Sequence, residues 1–72
     1  MSQRLANSLR AERERLDLTQ AELAHRVGVS RKTINTIENL VFAPSALLAI
    51  KLAKDVGRQV EEIFWIEGDD AI

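Results

Sequence analysis

Arg31, Lys32, Asn35, Thr36 and Asn39 fall on one side of the chain if residues 31–39 are helical, because successive helical residues turn by about 100°. These side chains offer cations, amides and a hydroxyl. Lys and Arg suit guanine O6 and N7, Asn suits adenine, and Thr meets a thymine methyl or a phosphate. The chemistry they fit is readout of a DNA base edge in the major groove and not bond making. The same residues equally fit an ordinary solvated helix face, which most polar faces are. Ile34 and Ile37, with the Thr33 methyl, point the other way, toward a core.

A face of this kind is useful only if its helix is held firmly against another one. Thr19 and Glu22 form a Thr-x-x-Glu capping box, which starts a helix at Gln20. Ala21, Leu23, Ala24 and Val27 are its inward residues, small enough for a second helix to cross closely. Gly28 follows the last periodic residue and supplies the positive φ that stops the helix. Ser30 then caps the next helix, leaving a turn of about three residues, the spacing of a helix-turn-helix.

Leu18-Thr19-Gln20, Glu22-Leu23-Ala24, Val27-Gly28-Val29-Ser30 and Thr33-Ile34-Asn35-Thr36-Ile37-Glu38-Asn39 together resemble the helix-turn-helix of the Xre/Cro-like phage repressor family. The likeness continues through Pro44-Ser45, Leu52-Ala53 and Glu61-Glu62-Ile63-Phe64, so it covers roughly residues 5 to 65. Several spaced motifs in one order are more specific than any single one. The resemblance implies an all-α, compact five-helix, lambda-repressor-like domain. It is greatest to the short stand-alone transcriptional regulators, which implies binding of double-stranded DNA, as a repressor; a two-fold homodimer on an inverted repeat is expected because isologous pairing is the commonest closed assembly and presents two recognition helices to successive major grooves.

Carried over residue by residue, the resemblance assigns further roles. Gln20 matches a glutamine that grips a phosphate at a helix start. Ser30 and Asn39 match DNA backbone contacts. Arg31, Lys32 and Thr36 match base-reading positions, and Asn35 is grouped with them although it fits either class. The alternatives are a plain helix-start role for Gln20 and phosphate clamping by Arg31 and Lys32, with opposite consequences for specificity. Arg13 and Glu38 match a partly buried ion pair that ties the first helix to the recognition helix. Without the resemblance they are two solvated charges.

One departure concerns the end of the recognition helix, where Leu40 stands in place of the family's usual glycine. Asn39 is expected to take the left-handed conformation instead, since Asn tolerates it. The apolar loop Leu40-Val41-Phe42-Ala43 follows, with Phe42 expected to fold back onto the core. Leu40 and Val41, with Trp65 and Ile66, are expected to form an exposed patch and are the candidate dimer interface. Trp65 fits a core-capping role as well as an interface one.

At 72 residues the chain has room for one modest core, and 46% hydrophobic against 29% charged residues favours a folded domain over disorder. There is no cysteine, so helix packing has to supply the stability. No apolar run approaches the roughly 18 residues of a membrane span, and no signal-peptide core is present. A cytoplasmic location is expected. The formal net charge of −1 opposes DNA binding, but residues 1–36 hold seven Lys/Arg against four acids and residues 37–72 three against seven. The motif end is thus mildly positive. A single copy neutralises few phosphates, so pairing would strengthen binding.

The remaining segments read as support. A first helix over roughly residues 2–16 places Leu5, Leu9 and Leu16 inward with Ala6 nearby, leaves Arg10, Glu14 and Arg15 in water, and ends at Asp17. A helix capped by Ser45 runs to about Val56 before Gly57, with Leu47, Leu48, Ile50, Leu52 and Ala53 packing on several neighbours. A last helix spans about Val60 to Trp65, contributing Val60, Ile63 and Phe64. No strand is expected. Residues 1–66 form the DNA-binding domain and 67–72 a frayed acidic tail.

An enzyme is disfavoured. His25 is the sole histidine, lies on an outer face and lacks a cysteine or phosphate loop beside it. No cofactor, metal or small-molecule effector site is evident. The competing reading is a protein-interaction module of the same fold, antitoxin-like or anti-repressor-like, which the net acidity and the apolar loop favour.

Overall fold

The computed structural model describes residues 3–68. Five helices and two short strands follow one another as β1 (Arg4–Asn7), α1 (Leu9–Arg15), α2 (Gln20–Val27), α3 (Arg31–Glu38), α4 (Ala46–Val56), α5 (Val60–Ile63) and β2 (Phe64–Glu67). The helical architecture expected from the sequence is present, with a two-stranded sheet added to it.

Local chemistry sets the helix starts. Thr19 and Glu22 make the reciprocal capping box, with Glu22 N–H on Thr19 Oγ1 at 3.0 Å and Thr19 N–H on the Glu22 carboxylate at 2.7 Å. Ser30 and Ser45 each accept from the backbone N–H three residues on, opening α3 and α4. Four of the five described helices end alike. The N–H of one residue reaches the carbonyl three back, and the next N–H reaches the carbonyl five back, the Schellman arrangement with a left-handed residue between. Gly28 and Gly57 supply that residue after α2 and α4. Asp17, at φ 60°, and Leu40, at φ 62°, supply it after α1 and α3.

Leu40 therefore takes the role expected of Asn39, whose φ is −90°. The reason is positional. Val41 N–H bonds the Thr36 carbonyl at 2.9 Å and Leu40 N–H the Ile37 carbonyl at 3.1 Å, so residue 40 is the one that must turn left-handed.

The expected helix over residues 2–16 is shortened to α1, because Asn7 interrupts it. The Asn7 carbonyl oxygen accepts from Leu9 N–H at 3.1 Å, and its amide donates to the Ile37 carbonyl at 3.0 Å. One side chain thus starts α1 and ties it to the end of α3. Residues 4–7 pair antiparallel with β2 in the register Arg4↔Glu67, Leu5↔Ile66, Ala6↔Trp65 and Asn7↔Phe64. The last helix stops at Ile63, and Phe64 begins the strand. Glu67 forms an ion pair with Arg4 at 3.0 Å and so belongs to the sheet and not to a frayed tail. Residues 69–72 of that expected tail lie outside the described residues.

The core joins all five helices and β2 through Leu9, Leu23, Ala24, Val27, Ile34, Ile37, Leu48, Leu52, Ala53, Val56, Ile63 and Phe64. Three expectations about it are corrected. Ala21 is exposed, and α2 packs on Leu23, Ala24 and Val27 alone. Leu47 and Ile50 face solvent, because α4 buries only the stripe Leu48, Leu52, Ala53 and Val56. Leu16 also lies at the surface, since α1 has ended before it.

Candidate nucleic-acid interface

Gly28, Val29 and Ser30 turn the chain between α2 and α3, and the two helices meet through the buried Leu23, Ala24 and Val27 on one and Ile34 and Ile37 on the other. This leaves Arg31 and Lys32 exposed at the start of α3, with Asn35 and Thr36 half-buried one turn later and Asn39 exposed at its end. The polar residues singled out from the sequence share this outer side, as 3.6-residue periodicity requires.

Electrostatics distinguishes the start of α3 from most other basic positions. Arg4, Arg15, Arg26 and Arg58 are each within 3.1 Å of a carboxylate, on Glu67, Glu12, Asp55 and Glu12 respectively. Arg31 and Lys32 form no ion pair among the described residues. Their charges remain available to an anionic partner.

Behind this face lies a buried carboxylate. The Glu38 side chain is fully enclosed, and Arg13 grips it with two guanidinium nitrogens at 2.8 and 3.1 Å while donating to the Leu18 carbonyl at 2.9 Å. Arg10 stands 3.6 Å away on the outer side. Burial by itself would raise the Glu38 pKa. The hydrogen bonds from Arg13 and Gln20, with the charges of Arg13 and Arg10, outweigh it and hold the carboxyl below its ordinary value. The Arg13 guanidinium is pushed up, first by its hydrogen bond to Glu38.

Gln20 carries that anchoring outward. Its amide donates to Glu38 Oε1 at 3.1 Å, its oxygen accepts from Asn35 at 3.4 Å, and Asn35 Oδ1 accepts from Asn39 at 3.2 Å. An ionised carboxylate only accepts, so Gln20 must present its NH₂ group to it. That choice fixes Gln20 Oε1 toward Asn35, and each later amide follows. The orientation of these amides on the outer side of α3 is therefore set by a charge in the interior. Sequence reasoning named all four residues but not the chain linking them, because it depends on how α2 crosses α3.

The hydroxyls on the face are also engaged. Ser30 Oγ lies 3.0 Å from Thr33 Oγ1, and Thr36 Oγ1 donates to the Thr33 carbonyl at 3.0 Å. Ser30 thus serves as the helix cap as well as standing where the resemblance puts a backbone contact.

The loop after α3 departs from expectation. Phe42 is not folded onto the core but 50% exposed, because the bonds from Val41 and Phe42 N–H to the Thr36 carbonyl draw the loop back along α3. Leu40, Val41, Trp65 and Ile66 are exposed, as the candidate interface required. They do not form one surface, however. Consecutive strand residues project to opposite faces, so Ile66 shares a face with Leu5 while Trp65 shares the other with Ala6. Leu5, Leu40 and Val41 line one common cleft with Pro44.

The chain is similar to known proteins along most of its length. The family model described as helix-turn-helix matches residues 9–63. A protein of Methanothermobacter thermautotrophicus is 45% identical over 64 residues, which is 88% of this chain and 93% of that one. One from Methanocaldococcus jannaschii is 44% identical over 66 residues, covering 92% of this chain and all of the relative. YgzD of Bacillus subtilis is 35% identical over 66 residues, with the same coverage. Each is named an uncharacterised HTH-type transcriptional regulator, and none is named an enzyme. With a turn of Gly28-Val29-Ser30 between two crossed helices and a match spanning both, the chain belongs to the helix-turn-helix family.

Proposed function

We propose that this protein is a sequence-specific double-stranded DNA-binding regulator of transcription, with α3 in the major groove. The observation that carries the reading is the pair of unpaired cations, Arg31 and Lys32, beside amides whose orientation Glu38 fixes. Preset donors and acceptors lose little on meeting a base edge. Arg31, Lys32, Asn35 and Thr36 read bases, while Gln20, Ser30 and Asn39 hold the phosphate backbone. Arg13 and Glu38 keep the scaffold under them rigid. Repression is the favoured mode, since a domain seated in the groove blocks competing proteins by occupancy alone. Such a regulator works in the compartment that holds the DNA, which on this reading is the cytoplasm.

The charge available to one copy is small, which supports action as a two-fold dimer on an inverted repeat. Exposed Leu40, Val41 and Ile66, on the Leu5 side of the sheet, supply apolar surface for the pairing, while Trp65 lies on its other face. Binding of a selected duplex at about 50 and 200 mM salt tests the reading, because phosphate neutralisation makes affinity fall steeply with salt. Salt-independent binding would remove its basis.

The second reading, a protein-interaction module, rests on those same exposed apolar residues together with the net charge of −1. It predicts no enrichment of any DNA sequence.

A further inference from the structure

The recognition helix shares its outer side with an apolar cleft of about 320 Å³, lined by Ser30, Lys32, Thr33, Thr36, Val41 and Phe42. Its position is fixed by the backbone. Leu40, left-handed at φ 62°, turns the chain back so that Val41 and Phe42 N–H both reach the Thr36 carbonyl, at 2.9 and 3.3 Å. The threonine hydroxyls are engaged, Thr33 with Ser30 and Thr36 with the Thr33 carbonyl. Thr33, expected to turn its methyl toward the core, is half-buried and lines this cleft, together with Thr36, Lys32 and the Val41 and Phe42 side chains, 76% and 50% exposed.

We propose that this cleft is a socket for the 5-methyl group of a thymine, placed beside the phosphate- or guanine-seeking Lys32. Thymine is the base that presents an apolar group in the major groove, and Thr methyl and Phe are side chains that contact it. The occupant follows from the lining. Lys32 and Thr36 belong both to the cleft and to the proposed reading face, so a second copy seated there would cover the helix that DNA requires. The cation at the rim, free of any described carboxylate, favours a polyanion over an acceptor-poor protein surface. This takes Val41 out of the pairing surface and leaves Leu40 and Ile66 there. Hydrogen-bonding residues then read one part of the half-site, and shape-matched apolar contact reads a neighbouring base pair.

The socket rests on the DNA-binding reading, and one series of experiments separates the two. A duplex enriched from a random pool by the full chain is resynthesised with each thymine replaced singly by uracil, which removes only the methyl. Binding is measured for the wild type, Phe42→Ser and Val41→Ser, with melting curves and sedimentation for each protein. One thymine per half-site should lose about three- to tenfold in affinity on replacement by uracil, as expected for one buried methyl. Phe42→Ser should bind the thymine duplex correspondingly less well and respond less than twofold to uracil there, while keeping its melting temperature and oligomeric state. Equal affinity for every uracil duplex overturns the socket, as does a uracil effect that survives in both variants. Conversion of the variants to a different oligomeric state with an intact uracil effect assigns the cleft to a second copy instead. Failure to enrich any sequence overturns the DNA-binding reading, and the socket with it.

Discussion

Gln20 donates its side-chain amide to Glu38 at 3.1 Å, so the first residue of α2 and the last residue of α3 share a carboxylate that Arg13 also grips from α1. Three helices thereby meet on one buried charge. The same contact decides which way Gln20, Asn35 and Asn39 present their amides. Scaffold stability and the proposed reading face are thus tied at a single residue.

Arg13→Ala strands the Glu38 carboxylate in the interior, which costs about 3–5 kcal/mol. For a domain of this size that lowers the melting temperature by roughly 15 °C or more. Thermal unfolding followed by circular dichroism checks it. Replacing both partners by apolar residues of similar volume, Arg13→Met with Glu38→Leu, should recover most of the loss. An unchanged transition in Arg13→Ala would show that Glu38 is not held by this pair.

Acid should remove the contribution of Glu38 in a defined direction. Its folded-state pKa lies below the ordinary 4.5, so the unfolded chain takes up the proton first. The stabilisation is complete above about pH 4.5 and is lost as pH falls through the lowered folded value. Glu12 and Glu22 are lowered too, chiefly by hydrogen bonds from Arg15 and from the Thr19 backbone, so the whole curve falls in acid. The informative quantity is the gap between wild type and Glu38→Gln. It should be widest near neutrality and narrow in acid. A gap independent of pH would contradict the account.

Leu40 pays for the turn that its glycine-bearing relatives in other helices of this chain make freely. A left-handed non-glycine residue costs about 1–2 kcal/mol, and Leu40 is exposed, so little burial offsets it. Leu40→Gly should stabilise the domain by about 0.5–1 kcal/mol after the glycine entropy cost. Gly28→Ala should do the reverse by about 1 kcal/mol, entirely through its φ of +78°, since an added Cβ would meet no atom within 4 Å. Denaturant midpoints measure both. The gain is expected at concentrations too low for pairing, where destabilisation would contradict it; at higher concentration loss of the proposed Leu40 dimer contact should offset it.

The local features of this fold were legible in the sequence. The Thr19–Glu22 box, the Ser30 and Ser45 caps and the Gly28 and Gly57 stops each depend on residues within four positions of one another, and each stands where it was expected. The sheet was not legible. Its strands are four residues long and lie some sixty positions apart, and Leu5-Ala6 reads equally well as the start of an amphipathic helix until Asn7 bonds to Ile37. Phe42 was placed wrongly for a related reason, as its exposure follows from the turn at Leu40, which nothing in the residue types required. Among the site residues, the side of the helix was readable from periodicity, whereas the link from Glu38 through Gln20 to Asn35 needed the crossing of two helices.

The roles on α3 separate by how a variant loses affinity. Thr36→Ala and Lys32→Ala should relax preference at one or two base pairs, with about 1–3 kcal/mol of discrimination lost at each. Gln20→Ala should weaken binding to all sequences alike. Competition among single-base variants of the selected duplex distinguishes these patterns. Uniform loss in all three proteins would place Lys32 and Thr36 among the backbone clamps.

Whether α3 reads DNA sequence is decided by selection from a random duplex pool. Enrichment of an inverted repeat whose half-sites lie about one helical turn, or 10–10.5 base pairs, apart is expected, with loss of that enrichment in Arg31→Ala/Lys32→Ala. A pool that stays random, with the wild-type chain folded and at high concentration, would contradict it.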